Sequence, residues 1–105
     1  MIARTWSGRV PSHLADPFEA HLIATGLTAA SALPGYQGAQ ILRSTHPQGR
    51  TVEFRLETFW ESWEAIRGFA GPDVSAAVLY PGDEAYQLSP DLHVEHHLVV
   101  RRDLL

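Results

Sequence analysis

The chain has 105 residues, of which 45% are hydrophobic and ten are aromatic, and its net charge is −4. This length predicts a single domain spanning residues 1–105, with enough apolar side chains for a core. All eight basic residues are arginines and they form no basic stripe, so the composition argues against a nucleic-acid partner. The absence of cysteine excludes disulfides, thiolate metal sites and cysteine nucleophiles.

The beginning of the chain lacks a basic segment followed by an apolar run, as a secretory signal would have. No apolar run approaches the length that a membrane-spanning helix needs. We therefore expect a cytoplasmic protein with no membrane partner.

The first predicted elements are a strand and a helix. Residues 2–10 predict a strand with Ile2, Arg4, Trp6 and Val10 on one face. A helix is predicted to begin near Asp16 and to end before Pro34-Gly35. The apolar residues that recur on one face of this helix are Phe18, Leu22, Ala29 and Leu33.

A hairpin follows, with predicted strands at residues 36–44 and 51–60 and a turn at His46-Pro47-Gln48-Gly49. The second strand alternates between two sets of side chains. One face carries Val52, Phe54, Leu56, Thr58 and Trp60; the other carries Glu53, Arg55, Glu57 and Phe59.

The last third of the chain predicts two helical segments and a final strand. Ser62 is a suitable N-cap for a helix that Gly71-Pro72 terminates. Asp73 is predicted to cap a further short helix over residues 73–79. The final strand covers about residues 92–101, and its predicted inward face carries Leu92, Val94, His96, Leu98 and Val100.

The predicted order is β-α-β-β-α-β, which is the ferredoxin-like order of an α+β fold. Helices should cover one face of an antiparallel sheet. The opposite face is mixed in charge, with residues such as Glu53, Arg55 and Glu57. Either this face is fully solvated or it is the interface of a homodimer, which would also add burial to so small a subunit.

The alternation His93-x-Glu95-x-His97 places three potential metal ligands on one face of the last strand. A metal site is one interpretation. A polar ladder that pairs with arginines is the interpretation we prefer, because no further ligand is evident. The sequence therefore predicts no metal site.

Two residues on otherwise apolar faces are candidates for binding or proton transfer. His96 is either a core histidine with satisfied nitrogens or a group that binds a polar substrate atom. Arg4, beside Trp6, needs a carboxylate, a carbonyl or a ligand anion if it faces the core.

A set of aromatic residues provides further candidates, because several of them lie in short helices and loops, where small-molecule clefts tend to form. They are either core residues or pocket walls. The set consists of Trp60, Trp63, Phe69, Tyr80 and Tyr86.

The stretch from Thr58 to Tyr86, read with the opening IARTW and the histidine-rich last strand, resembles the antibiotic biosynthesis monooxygenase (ABM) family. The resemblance covers nearly the whole chain. It implies a ferredoxin-like fold that dimerises as an α/β barrel, with an aromatic pocket in each subunit.

The resemblance also implies a function. We expect a cofactor-independent monooxygenase that acts on an aromatic or polyketide-like small molecule, and no flavin, nicotinamide or phosphate-loop fingerprint is present. The polar groups expected to act on the substrate are His96, Arg4 and Tyr86. The expected substrate-binding walls are Trp6, Trp60, Phe69 and Tyr80. The alternative is a non-catalytic dimeric binding or stress-related protein.

A third interpretation is haem binding, because one branch of the ABM family degrades haem. That branch has a tryptophan just before an aspartate corresponding to Asp73 and an axial histidine shortly after it. Here the tryptophan position holds Phe69, and the histidine position falls near Leu79 and Tyr80. The asparagine expected on the first strand is also absent, so we expect no haem, flavin or other cofactor.

Overall fold

The computed structural model describes residues 1–44 and 49–105. The predicted hairpin turn falls largely outside the described residues, at positions 46–48. Every other predicted element lies within them.

Five antiparallel strands form one sheet: β1 (Ile2–Pro11), β2 (Tyr36–Arg43), β3 (Thr51–Trp60), β4 (Ser89–Pro90) and β5 (Glu95–Leu98). Their order is β2-β3-β1-β4, with β5 also pairing with β1. Strand β1 pairs with β3 along its whole length, and β4 and β5 share its other edge. This arrangement is the predicted ferredoxin-like one.

The helical layer consists of α1 (Ala15–Leu22), a π-helical turn (Ile23–Leu27), α2 (Thr28–Ser31) and α3 (Trp63–Ala70). The first three are continuous. The Thr28 hydroxyl donates to the Ile23 carbonyl five residues earlier, at 2.7 Å, and the Thr25 hydroxyl donates to His21 O at 2.8 Å. Side-chain bonds of this kind to preceding carbonyls widen a helix locally.

Helix α3 begins and ends as its sequence predicts. The Ser62 side chain accepts a hydrogen bond from the Ala65 amide at 3.1 Å, which is an N-cap contact. The helix ends at Gly71, whose φ of 84° lies in the left-handed region that glycine adopts without strain.

The predicted short helix at residues 73–79 is wrong. Asp73 does cap a turn, since its carboxylate accepts bonds from the Ser75 amide and hydroxyl. The chain then becomes extended, and Ala76 forms a β-bridge with His93. The Val74 and Ala76 carbonyls accept hydrogen bonds from the Arg4 guanidinium, which holds this extended segment against the sheet.

The last strand is shorter than predicted, and its predicted inward face is wrong at Leu92, which is 63% exposed, and again beyond His96. Pairing with β1 ends at Ile2↔Leu98, since β1 itself begins at Ile2. The side chains beyond this point have no layer above them. Leu98 is 72% exposed and Val100 is 92% exposed, whereas Val94 is buried at 8%.

Two apolar clusters lie between the sheet and the helices. The larger one surrounds Phe18 and Phe54, whose rings pack edge to face at 5.2 Å. The smaller one surrounds Trp60 and Ile66, which are fully buried. Among the described residues, no helix is long and apolar enough to cross a membrane.

Candidate functional site

A narrow cavity lies between the sheet and the helices, where the two apolar clusters meet. Its free volume is about 40 Å³. Nine apolar side chains form most of the wall: Trp6, Phe18, Leu22, Leu56, Phe69, Val78, Leu79, Leu88 and Val94. Its polar side chains are those of Arg4, Thr25, Thr58, Tyr80 and Asp83.

Trp6 forms part of the sheet side of this cavity. Its indole lies along the strand over Gly8, and a Cβ at position 8 would come within 2.5 Å of the ring. The indole N–H donates to the Asp91 carbonyl at 3.1 Å. Gly8 therefore leaves room for Trp6 to serve as a cavity wall.

Arg4 carries the buried charge of the site. It is 4% exposed, and its guanidinium donates to Val74 O and to Ala76 O, at 2.5 and 2.9 Å. It also lies 5.7 Å from the centre of the Phe69 ring. Arg4 thus fastens residues 74–76 to the sheet while it lines the cavity.

No carboxylate pairs with Arg4 among the described residues. A buried cation without an anionic partner is costly, because carbonyl dipoles replace its hydration only in part. Burial accordingly lowers the pKa of Arg4, although the guanidinium stays charged. The site therefore favours an anionic or electron-rich oxygen beside Arg4.

Tyr80 places a second polar group in the cavity. Its hydroxyl is buried and has no hydrogen-bond partner among residues 1–44 and 49–105. Burial raises the pKa of Tyr80, and nearby Asp83 raises it further, against the opposing effect of Arg4. The hydroxyl is therefore a neutral donor that lacks an acceptor, which is a feature that a ligand oxygen would satisfy.

His96 contacts Arg4 from outside the cavity. Its Nε2 lies 3.1 Å from Arg4 Nη1, and its ring packs on Trp63 at 4.9 Å. Burial, Arg4 and His97, in that order, lower the pKa of His96. His96 lines a shallow groove with Trp63 and Leu98 instead of the cavity.

The remaining predicted site residues occupy three different positions. Phe69 lines the cavity, whereas Trp60 lies behind it and stacks on its ring at 5.5 Å. The Trp60 N–H donates to Thr58 Oγ1 at 2.8 Å. Tyr86 lies beyond the cavity wall, against Phe18 at 5.7 Å. The fold thus groups Arg4, Trp6, Phe69 and Tyr80 and leaves the other three around them.

Sequence reasoning missed a histidine–aspartate pair at the edge of the cavity. His21 Nε2 lies 2.6 Å from Asp83 Oδ1, and both side chains are largely buried. Their separation of 62 residues hides the pair from any motif. The signal within reach was the Tyr-Pro-Gly-Asp turn, which ends in a carboxylate.

The predicted polar ladder on the last strand lies on the outer sheet face. Glu95 and His97 are 3.9 Å apart and both are well exposed. His93, Glu95 and His97 share a broad polar depression there with Arg9, Arg55 and Glu57. Within residues 1–44 and 49–105, no group of three or more His, Cys, Asp or Glu side chains is placed to hold a metal ion.

No protein-family model matches this chain, and no curated protein matches it. Among solved structures, it is similar to an arginine-to-serine mutant of MhuD crystallised with two manganese protoporphyrin IX molecules per active site. The identity is 22%, the match covers 98% of each chain, and the TM-score is 0.62. The chain has the ferredoxin-like fold of MhuD. The ferredoxin-like α+β fold predicted from the sequence is thereby confirmed.

Haem does not fit the cavity as it is shaped. The residues that line it include no histidine, cysteine or methionine, so Tyr80 is the only conventional axial ligand for iron there. A free volume of about 40 Å³ is also close to that of a single water molecule, for which liquid water provides about 30 Å³.

Proposed function

We propose that this protein is an ABM-like oxygenase that binds an aromatic or polyketide-like small molecule in the cavity and oxidises it without a cofactor. The observation that carries the proposal is that Arg4 and Tyr80 line one apolar cavity, each without the partner that its chemistry favours. Within the part of the chain that the structure describes, the charge of buried Arg4 meets only neutral acceptors, and Tyr80 Oη is a buried donor without an acceptor. A phenolate or enolate oxygen between them would satisfy both.

The chemistry needs an acidic substrate. An activated methylene loses a proton to solvent, which later returns a proton to the peroxide. The resulting carbanion has its charge delocalised onto the ring oxygen, where Arg4 and Tyr80 stabilise it. The carbanion donates one electron to dioxygen, and the resulting radical and superoxide combine as a peroxide on that carbon. Loss of water then gives a ketone, so that one dioxygen yields one carbonyl and one water.

The other site residues have supporting roles in this scheme. Trp6 and Phe69 hold the planar ring system, and Trp60 supports Phe69 from behind. His96 acts through Arg4, whose Nη1 it contacts. Tyr86 packs against the His21 ring at 4.8 Å, next to Asp83, which is the carboxylate that lines the cavity.

We further propose that the active form is a cytoplasmic homodimer. In the part of the chain that the structure describes, no helix covers the outer sheet face, and its polar depression contains acidic, basic and histidine side chains. Two copies of such a face can pair through opposite charges around a two-fold axis.

Oxygen uptake tests the proposed activity. The purified protein is mixed with anthrone or a hydroxyl-substituted anthrone as probe, both of which carry an activated methylene, and dioxygen is followed with an electrode. We expect uptake above the protein-free rate, and we expect Arg4→Met to abolish the difference. Arg67→Met, which changes an exposed arginine of α3 outside both the cavity and the outer sheet face, is the control.

The narrowness of the cavity favours a second candidate, a non-catalytic dimeric protein that binds small molecules. Side chains fill most of the space between sheet and helices. Saturable binding of either probe without any oxygen uptake would support this candidate and exclude the oxygenase. Neither binding nor uptake would exclude both for this class of compound.

A further inference from the structure

One wall of the cavity differs in construction from the others. Residues 78–88, here called the wall segment, contain no strand and no α-helix; their regular structure is a single 3-10 turn at Asp83–Tyr86. The other walls belong to β1, β3, the first helical run and α3, which are held by continuous backbone hydrogen bonds. The wall segment is therefore the part that can move at the lowest cost.

The wall segment must move for a ring to enter. A cavity of about 150 Å³ is what holds a benzene molecule in a protein core. The cavity here provides about 40 Å³. The sheet and helix walls cannot separate without breaking backbone ladders, so the expansion falls to residues 78–88.

A β-turn fixes the position of Tyr80 within this segment. Gly82 has φ 94° and ψ −12°, the values of the third residue of a type II turn, and Pro81 precedes it. The Asp83 amide donates to Tyr80 O at 3.2 Å, and Asp83 Oδ2 accepts the Tyr80 amide at 2.9 Å. The aspartate thus closes the turn through both its main chain and its side chain.

The same carboxylate joins the turn to the helical layer. Asp83 Oδ1 lies 2.6 Å from His21 Nε2 on α1. The exposed fractions of the two side chains are 13% and 16%, so little water competes for the contact. Within the described residues, this is the only side-chain hydrogen bond between the wall segment and α1.

We infer that His21 and Asp83 are a positioning pair that holds Tyr80 over the cavity, and that their contact opens when a ligand enters. The inference rests on the proposed function only in taking this cavity as the ligand-binding site, and it does not depend on the reaction. A single carboxylate, that of Asp83, forms both the hydrogen bond that closes the turn and the contact with His21 on α1. Its loss would leave the turn held by the Asp83–Tyr80 backbone bond and by ring packing.

Amide hydrogen exchange in His21→Phe measures how much the His21–Asp83 contact stabilises the wall segment. Phenylalanine keeps a ring against Phe18 and Tyr86 but removes the bond to Asp83. The reporters are the Ala85 and Gln87 amides, which donate to backbone carbonyls within the wall segment and do not touch His21. We expect both to exchange about tenfold faster or more, with β1 amides unchanged.

A second measurement follows the opening of the cavity itself. Acrylamide quenching of Trp6 is measured in a Trp63→Phe background, where the other remaining tryptophan, Trp60, is fully buried. We expect Asp83→Ala to increase the quenching constant and Asp83→Asn to increase it less. The asparagine Oδ1 still accepts the Tyr80 amide, and its NH2 group can donate to Nε2 of the other His21 tautomer. Glu84→Ala, an exposed carboxylate next in sequence, is the matched control and should change nothing.

Two results would overturn the inference. One is unchanged exchange at Ala85 and Gln87 in His21→Phe. The other is faster exchange in β1 and β3 to the same extent, which would mean a general loss of stability. Neither hydrogen exchange nor quenching depends on oxygen uptake. A negative oxygen-uptake assay would therefore contradict the proposed function without contradicting this inference.

Discussion

Arg4 and His96 lie opposite each other in the β1–β5 pair, with 3.1 Å between Arg4 Nη1 and His96 Nε2. The guanidinium can only donate, so Nε2 must accept and the His96 proton must sit on Nδ1. A protonated His96 would lose this bond and would repel Arg4. The contact therefore links the charge of the cavity to the protonation of a residue outside it.

This link predicts that acid destabilises the protein through His96. The pKa of His96 is lowered from about 6.5, so the unfolded state takes up the proton first as the pH falls. The stabilising effect is complete above about pH 6.5 and is lost below it. We expect the free energy of unfolding in urea to fall between pH 7.5 and 5.5, and His96→Gln to flatten this part of the profile.

His13→Gln is the control for that measurement, since His13 is an exposed histidine that is not among the groups acting on His96. The prediction is wrong if His96→Gln leaves the slope between these pH values equal to that of the unaltered protein.

Arg4→Met should lower the stability of the fold by about 2 kcal/mol, because two partly buried carbonyls, of Val74 and Ala76, lose their donor. Removal of the desolvated charge offsets part of this cost. Arg9→Met should cost less than about 1 kcal/mol, since Arg9 forms exposed ion pairs. Equal urea midpoints for the two variants would contradict a stabilising role for the hydrogen bonds from Arg4 to the Val74 and Ala76 carbonyls.

Gly26→Ala should stabilise the protein and narrow the cavity at the same time. A Cβ at this position would meet Leu56 Cδ2 at 3.4 Å and Tyr80 Cε2 at 3.7 Å, which are ordinary contacts, and alanine favours helices by about 1 kcal/mol. We expect a higher melting temperature together with weaker binding of any aromatic probe.

Gly68→Ala is the matched control, because a Cβ there meets nothing within 4 Å and the residue also lies in a helix. Gly68→Ala should raise the melting temperature without changing the affinity for the aromatic probe. Equal probe affinity in both variants would show that the side chain at position 26 does not limit the space for a ligand.

Light scattering at micromolar concentration should give twice the subunit mass of 11.6 kDa. Arg55→Glu, on the polar outer face, should shift the equilibrium towards the monomer by placing like charges together. Arg67→Glu makes the same change on the exposed surface of α3 and should leave the mass unaltered. A monomer mass for the unaltered protein would refute the dimer.

The sequence by itself determined the elements whose signals are local. Alternation in β3 assigned Phe54 and Leu56 to the buried face, and Ser62 and Gly71 marked the ends of α3. These assignments succeed because side-chain period and cap chemistry act within a few residues. The element order then led to the ferredoxin-like sheet.

Only the tertiary structure decided how the candidate site is assembled. Strand register placed His96 opposite Arg4. Residues 74–76, for which the sequence predicted a helix, are instead extended and hydrogen-bonded to Arg4. The His21–Asp83 contact joins residues 62 positions apart. Pairing partners of this kind are chosen by the free energy of packing the whole chain, and no local pattern encodes that choice.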